Sequence, residues 1–60
     1  MSTEDFVKYM MRAKGVFLSR YNVPISNIQV IENSDEVIKF EVEGTSKNGE
    51  KKTLVVSFRK

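Results

Sequence analysis

Two glutamates, Glu41 and Glu43, come closest in this sequence to a pair that could do chemistry. Alternate residues of a strand point to the same face, so the two carboxylates are expected to be neighbours on one surface. Such a pair can hold a divalent cation or act as a general acid and base. Nothing in the surrounding sequence supplies a pocket, and we interpret both as solvated charges that keep a sheet face soluble.

A second group of oxygen ligands surrounds a polar segment: Glu32, Asn33, Asp35 and Glu36. A calcium loop needs more ligands at defined spacing, including a bidentate glutamate at its end. Asn, Ser and Asp are also the residues that favour tight turns. We therefore interpret this segment as a turn.

The remaining common catalytic groups are missing from the sequence. It contains no His and no Cys, so the usual general base, thiol nucleophile and soft-metal ligands are not available. There is also no phosphate-binding loop, dinucleotide fingerprint or nucleophile elbow. We predict a protein that is not an enzyme and has no cofactor, metal site or small-molecule substrate.

Basic residues are concentrated towards the C-terminus, while the net charge is only +2. The candidates for a nucleic-acid surface are Lys47, Lys51, Lys52, Arg59 and Lys60. A basic β-ribbon can bind phosphate backbones, but no aromatic residue interleaves with these lysines to stack bases. Lysines near an edge strand also prevent edge-to-edge aggregation. We favour the solubility interpretation and keep nucleic-acid binding as the alternative.

The N-terminal segment predicts an α-helix. Ser2 or Thr3 can cap it, and Asp5 occupies the third helical position if Ser2 is the cap. The apolar residues at helical spacing are Phe6, Met10, Ala13, Phe17 and Tyr21. The helix is expected to end near Tyr21 or Asn22, because the residue before a proline favours extended geometry.

The apolar arc of this helix is wider than one small sheet covers. At about 100° per residue, further apolar side chains extend the arc on both sides to roughly 200°, interrupted by Lys14 and Arg20. These candidate interface residues are Val7, Met11 and Leu18 on one side and Tyr9 and Val16 on the other. Gly15 lies on the polar face and marks either a bend, a close backbone approach or a tolerated glycine.

Three strands are predicted, over residues 27–32, 36–45 and 51–59. A three-residue loop, Lys47-Asn48-Gly49, joins the last two and puts Gly49 at a left-handed bulge position. This loop pairs Val42 with Leu54, Phe40 with Val56, and Ile38 with Phe58. The same logic at the first turn pairs Val30 with Ile38 and Ile28 with Phe40.

The predicted fold is a single α+β domain over residues 1–60, with one helix packed on a three-stranded antiparallel meander (αβββ). The face towards the helix carries Ile28, Val30, Ile38, Phe40, Val42, Leu54, Val56 and Phe58. The other face carries Gln29, Ile31, Val37, Lys39, Glu41, Glu43, Thr53, Val55, Ser57 and Arg59.

This order of elements resembles the first four elements of double-stranded-RNA-binding domains. The Phe6-Val7-Lys8-Tyr9-Met10 segment is loosely similar to the start of such domains. Those domains continue into a second helix with a lysine-rich start, which has no counterpart here, so no binding residue is assigned from the resemblance.

The sequence therefore predicts a small regulatory protein-interaction module that binds itself as a homodimer or binds another protein. No stretch is apolar enough for a membrane span or a secretory signal. The lack of disulfides in so small a domain favours an intracellular, cytoplasmic location. We expect a complete small gene product.

Overall fold

The structure, a computed structural model, describes residues 3–60, with side chains from Asp5 onward. This part of the chain forms helix α1 (Thr3–Tyr21) and strands β1 (Ile25–Asn33), β2 (Val37–Thr45) and β3 (Lys51–Arg59). The three strands make one open antiparallel sheet in the order β1-β2-β3. The predicted αβββ fold is confirmed. Of the two predicted capping residues, Ser2 lies outside the described residues and Thr3 is the first residue of the helix.

Helix α1 ends at the predicted place. Asn22, the residue after its last turn, has a left-handed backbone with φ 50°. Its amide N–H donates to the carbonyl of Leu18 at 2.9 Å, which closes the last turn. Asparagine tolerates this conformation better than most residues, and Pro24 then prevents the helix from continuing.

The second hairpin has the predicted register. Val42 pairs with Leu54, Phe40 with Val56, and Ile38 with Phe58. The Gly49 N–H donates to the Ser46 carbonyl at 3.0 Å, and the Ser46 N–H donates to the Glu50 carbonyl at 2.9 Å. Gly49 has φ 83°, the left-handed conformation that this loop requires and that glycine adopts without strain.

The register predicted for the first hairpin is wrong. Ile28 pairs with Val42 rather than Phe40, and Val30 pairs with Phe40 rather than Ile38. Ser34 and Val37 close a tight turn, since the Ser34 N–H donates to the Val37 carbonyl at 2.8 Å. If pairing continued without interruption from this tight turn, the side chains of Ile28 and Val30 would point away from the core. A β-bulge between Val30 and Glu32 shifts the register by one residue, so both side chains point to the core face instead.

The bulge also changes which residue follows Gln29 on the outer face of the sheet. Gln29 donates to Glu41 at 3.0 Å, and Glu32 forms an ion pair with Lys39 at 3.3 Å. Gln29 and Glu32 therefore share one face although they are three positions apart. The prediction that Ile31 lies on this face beside Gln29 is wrong, because Ile31 is the extra residue at the bulge.

The core lies between α1 and the β2–β3 half of the sheet. Its buried side chains among the described residues are Ala13, Phe17, Ile38, Phe40, Val42 and Val56. Aromatic rings of α1 contact the sheet, with Phe6 5.9 Å from Phe40 and Tyr9 5.6 Å from Phe58 between centroids. Val30, predicted on this face, is opposite buried Phe40 but remains exposed because α1 packs mainly on β2 and β3.

The lack of a side chain at Gly44 allows the end of α1 to pack closely against β2. A Cβ atom at Gly44 would lie 2.5 Å from the carbonyl oxygen of Pro24 and 2.8 Å and 2.9 Å from two ring carbons of Phe17. The Thr45 N–H donates to the same Pro24 carbonyl at 3.3 Å. The missing side chain thus lets the Phe17 ring and the connection after the helix lie directly on the strand backbone.

Candidate protein-interaction surfaces

The candidate interface residues of α1 lie on two opposite flanks of the helix. The Tyr9 ring contacts Phe58 of β3, and Val16 lines a groove with the same Phe58. At about 100° per residue, Val7, Met11 and Leu18 fall on the other flank, which is turned towards β1. The structure therefore divides the wide apolar arc into a β3 side and a β1 side.

The β1 side of the molecule exposes apolar side chains from both the helix and the sheet. We use "β1 flank" for Val7, Met11 and Leu18 of α1 with Val30 and Ile31 of β1. Their exposed fractions run from 38 % for Val30 to 64 % for Met11. Val30 and Ile31 are the two residues between the outward-facing Gln29 and Glu32, and helix packing leaves this strand largely uncovered.

A shallow, open groove lies on the other side of α1, where Phe58 of β3 forms part of its wall. Its volume is ≈ 740 Å³, and it is lined by Arg12, Gly15, Val16, Ser19, Arg20 and Phe58. The guanidinium-bearing residues Arg12 and Arg20 bracket the apolar Val16 along the helix. A Cβ added at Gly15 would meet nothing within 4 Å, so a close backbone approach does not explain this glycine. We call this feature the "α1–β3 groove".

The outer edge of β3 presents unpaired backbone groups beside the groove. The Lys60 N–H donates to Glu36, and the Glu50 carbonyl accepts from Ser46. Since backbone groups alternate sides along an antiparallel strand, the even-numbered residues of β3 bond to β2. The odd-numbered residues therefore point outward, and in the middle of the strand they are Thr53, Val55 and Ser57. We call this row the "β3 edge".

The two edges of the described sheet differ in regularity. β1 pairs with β2 through two register shifts, one between Ile25 and Asn27 and one between Val30 and Glu32. The pairing of β3 with β2 continues without a shift from Val37–Arg59 to Thr45–Lys51. Bulges twist an edge and hinder further pairing, so β3 is the edge better suited to accept another strand.

The candidate nucleic-acid residues form two separate groups. Lys47, Lys51 and Lys52 lie at the tip of the second hairpin, whereas Arg59 and Lys60 lie at the far end of β3. The eight-residue step from Lys51 to Arg59 spans about 26 Å of extended strand.

Three of these cations also have partners within the domain. Lys51 is 3.6 Å from Glu43 and Lys52 is 3.2 Å from Glu50. The Lys60 ammonium donates to the Ser34 carbonyl at 2.6 Å. The structure therefore does not gather the predicted basic residues into one patch.

The two glutamates of the central strand also interact with side chains of the neighbouring strands. Glu41 accepts from Gln29, and Glu43 pairs with Lys51 across the outer face. Over the part of the chain that the structure describes, no group of three acidic, His or Cys side chains is arranged to hold a metal ion. Nor does that part contain a helix with the length and apolarity needed to cross a membrane.

Comparisons of the chain with models of protein families, with curated proteins and with solved structures find no match. Function is therefore inferred from the surfaces themselves.

Proposed function

We propose that this domain is a non-catalytic protein-interaction module that forms a homodimer through the β1 flank. The observation that carries the proposal is the exposure of five apolar side chains on the side where α1 leaves β1 uncovered. Exposed apolar side chains concentrated on one side of a molecule are characteristic of interaction sites. A cytoplasmic location belongs with this proposal, since no cysteine in the sequence calls for an oxidising compartment.

The shape of the chain supports association. A compact protein of 6.9 kDa is expected to expose about 4,000 Å², and this chain exposes 4316 Å². The radius of gyration is 11.9 Å, compared with about 10.4 Å expected for a compact chain of this length. The domain is thus an elongated slab, 39 × 17 × 15 Å, with more surface than its size requires.

A second copy of the chain is the occupant that the β1 flank suits best. The five flank residues carry no charge, and the half-buried Lys14 lies beside Val7 and Leu18 on the helix. Its long side chain can hold the ammonium in solvent while the apolar surface of one copy meets the same apolar surface of the other in a two-fold contact. Added together, the exposed fractions of the five flank residues correspond to about two complete apolar side chains per protomer. Burying that much apolar surface contributes about 4–5 kcal/mol of favourable free energy. Two protomers contribute about twice that, against an association cost of about 4 kcal/mol or more, so we expect a weak dimer.

Sedimentation of the purified chain from about 10 μM to about 1 mM tests the proposal. We expect a reversible monomer–dimer equilibrium. Leu18→Glu should weaken it at least tenfold, because it replaces an apolar contact with a charged side chain that the interface would remove from water. Val16→Glu is the matched control: Leu18 and Val16 are 43 % and 45 % exposed, but only Leu18 lies on the β1 flank.

Two results would contradict this assignment. A strict monomer throughout the concentration range would remove the homodimer. A dimer that Val16→Glu weakens as strongly as Leu18→Glu would place the contact on the β3 side of the helix instead.

A further inference from the structure

We infer that the α1–β3 groove and the β3 edge together bind an extended acidic segment of another protein, which adds as a fourth strand beside β3. This site lies on the opposite side of α1 from the β1 flank, so it does not depend on the homodimer. Strand addition supplies backbone hydrogen bonds at a sheet edge, while neighbouring pockets select alternate side chains.

The helix and β3 run lengthwise beside each other. Tyr9 near the start of α1 contacts Phe58, and the ring of Tyr21 at its end is 5.9 Å from the Lys52 ammonium. The helical step from Tyr9 to Tyr21 rises about 18 Å, and the strand step from Phe58 to Lys52 covers about 20 Å. The helix and β3 therefore lie side by side, and the groove opens on this side of α1 with Phe58 as its lining residue from β3.

Groove side chains repeat at nearly the spacing of an extended peptide. Arg12, Val16 and Arg20 are four residues apart, which places them about 6 Å apart along the helix. Side chains on one face of a strand repeat every ~6.6 Å. An added strand can thus set an apolar side chain beside Val16, with a carboxylate two positions away on each side, near Arg12 and Arg20.

Backbone groups of β3 match this arrangement. The outward N–H and C=O groups of Thr53, Val55 and Ser57 are available to pair with the segment. Inward-facing side chains of the added strand then lie on the helix side of the sheet, where the groove is. The predicted recognition pattern is acidic–x–apolar–x–acidic.

Charge identifies the kind of partner. The groove carries Arg12 and Arg20, and β3 contributes Arg59 and no acidic residue. Lys51 and Lys52 are already paired with Glu43 and Glu50. A second copy paired through β3 about Val55 would place Lys51 opposite Arg59, which is unfavourable. Arginine also binds carboxylates with paired hydrogen bonds. An acidic polypeptide is favoured over nucleic acid because the outward N–H and C=O groups of the β3 edge can form hydrogen bonds with the backbone of another strand.

The test uses a fluorescein-labelled peptide with a Glu-Thr-Leu-Thr-Glu centre and threonine flanks, titrated with the protein and followed by anisotropy. We expect saturable binding that weakens at least tenfold with the Arg12→Glu/Arg20→Glu double variant. Lys8→Glu/Lys47→Glu is the control, because it changes the net charge equally but lies outside the groove. A peptide with lysine in place of both glutamates should bind the double variant better than it binds the wild-type protein.

Strand addition itself is tested on the peptide, which avoids any effect on folding. Methylation of the backbone nitrogens that face β3 should reduce binding at least tenfold. Ser57→Pro should do the same from the protein side, since its outward N–H is not part of the ladder with β2.

Three outcomes would overturn the inference. They are no saturable binding of the glutamate peptide, binding unaffected by N-methylation, and displacement of the peptide by a single-stranded oligonucleotide that binds the groove more tightly.

Discussion

Two glycine-to-alanine substitutions should change the stability of this domain in opposite directions. At Gly44 the new methyl group would collide with the Pro24 carbonyl and with the ring of Phe17. At Gly15 the same methyl group would meet nothing within 4 Å. The pair therefore tests whether the end of α1 is seated on β2 as described, with identical chemistry at both sites.

The magnitude at Gly44 follows from what can move. The Phe17 ring is buried in the core, and the Pro24 carbonyl is held by the Thr45 N–H, so neither relaxes freely. Overpacking of this kind costs about 1–3 kcal/mol, and we expect the upper part of that range. Lower unfolded-chain entropy offsets about 0.5–1 kcal/mol, which leaves a net loss of about 2 kcal/mol.

Gly15→Ala should instead stabilise the domain by about 1 kcal/mol, the usual advantage of alanine within a helix. A chain of this length has about 3–9 kcal/mol of total stability, so both changes are measurable. At about 4–8 °C per kcal/mol, Tm should fall by about 8–16 °C for Gly44→Ala and rise by about 4–8 °C for Gly15→Ala.

Urea unfolding followed by far-ultraviolet circular dichroism measures both effects. Each variant should be compared at one low protein concentration, because dimer formation raises the apparent stability. A Gly44→Ala protein as stable as the wild type would show that Phe17 and Pro24 do not approach β2 as closely as described. A loss of stability in Gly15→Ala would show that the outer side of the helix is already in contact at this position.

Two further predictions concern the core and the alternative function. Phe40→Ala should lower the free energy of unfolding by about 3–5 kcal/mol, because the ring is fully buried between Phe6 and Phe58. Chemical denaturation measures this loss, and a variant as stable as the wild type would contradict the assigned core. If nucleic acid is the partner, binding should fall steeply with salt, and Lys51→Glu should weaken it on every sequence tested. Because the basic residues are split into two groups, we expect that the protein does not retain DNA or RNA at about 0.15 M salt. Binding at that salt concentration that is weakened by Lys51→Glu would contradict this expectation.

The second hairpin could be predicted from sequence because one residue constrains it strongly. Gly49 occupies the only position of the Lys47-Asn48-Gly49 loop that needs a left-handed backbone, and its φ of 83° agrees. Once that position is set, the alternation of apolar residues gives the pairing of Phe40 with Val56. Local turn chemistry and the hydrophobic pattern therefore favour the same register.

The first hairpin offered no comparable signal. Its tight turn is closed by Ser34 and Val37, and the facing is then restored by an extra residue, Ile31. Ile31 is β-branched and apolar, so it reads as an ordinary strand residue rather than as a bulge. A register argument based on strict alternation cannot include such an insertion, which is why the predicted pairing of Val30 with Ile38 was wrong.

The candidate surfaces were only partly accessible to sequence reasoning. The width of the apolar arc identified exposed residues on α1, including Met11 and Leu18. A helical wheel does not show which strand lies beneath each flank, so the separation of Val16 from Leu18 required the fold. The α1–β3 groove was missed, although the four-residue spacing of Arg12, Val16 and Arg20 was present in the sequence.

The two sheet edges resist uncontrolled association in different ways, and this difference allows both proposed contacts to coexist. Bulges interrupt the β1 edge, while Lys51 and Arg59 oppose each other when β3 pairs with its own copy. Neither edge therefore favours a chain of copies joined strand to strand. A homodimer formed through the β1 flank would leave both β3 edges open to acidic segments. A partner carrying two such segments would then bind the dimer more tightly than the monomer without any new contact, provided its linker spans both grooves.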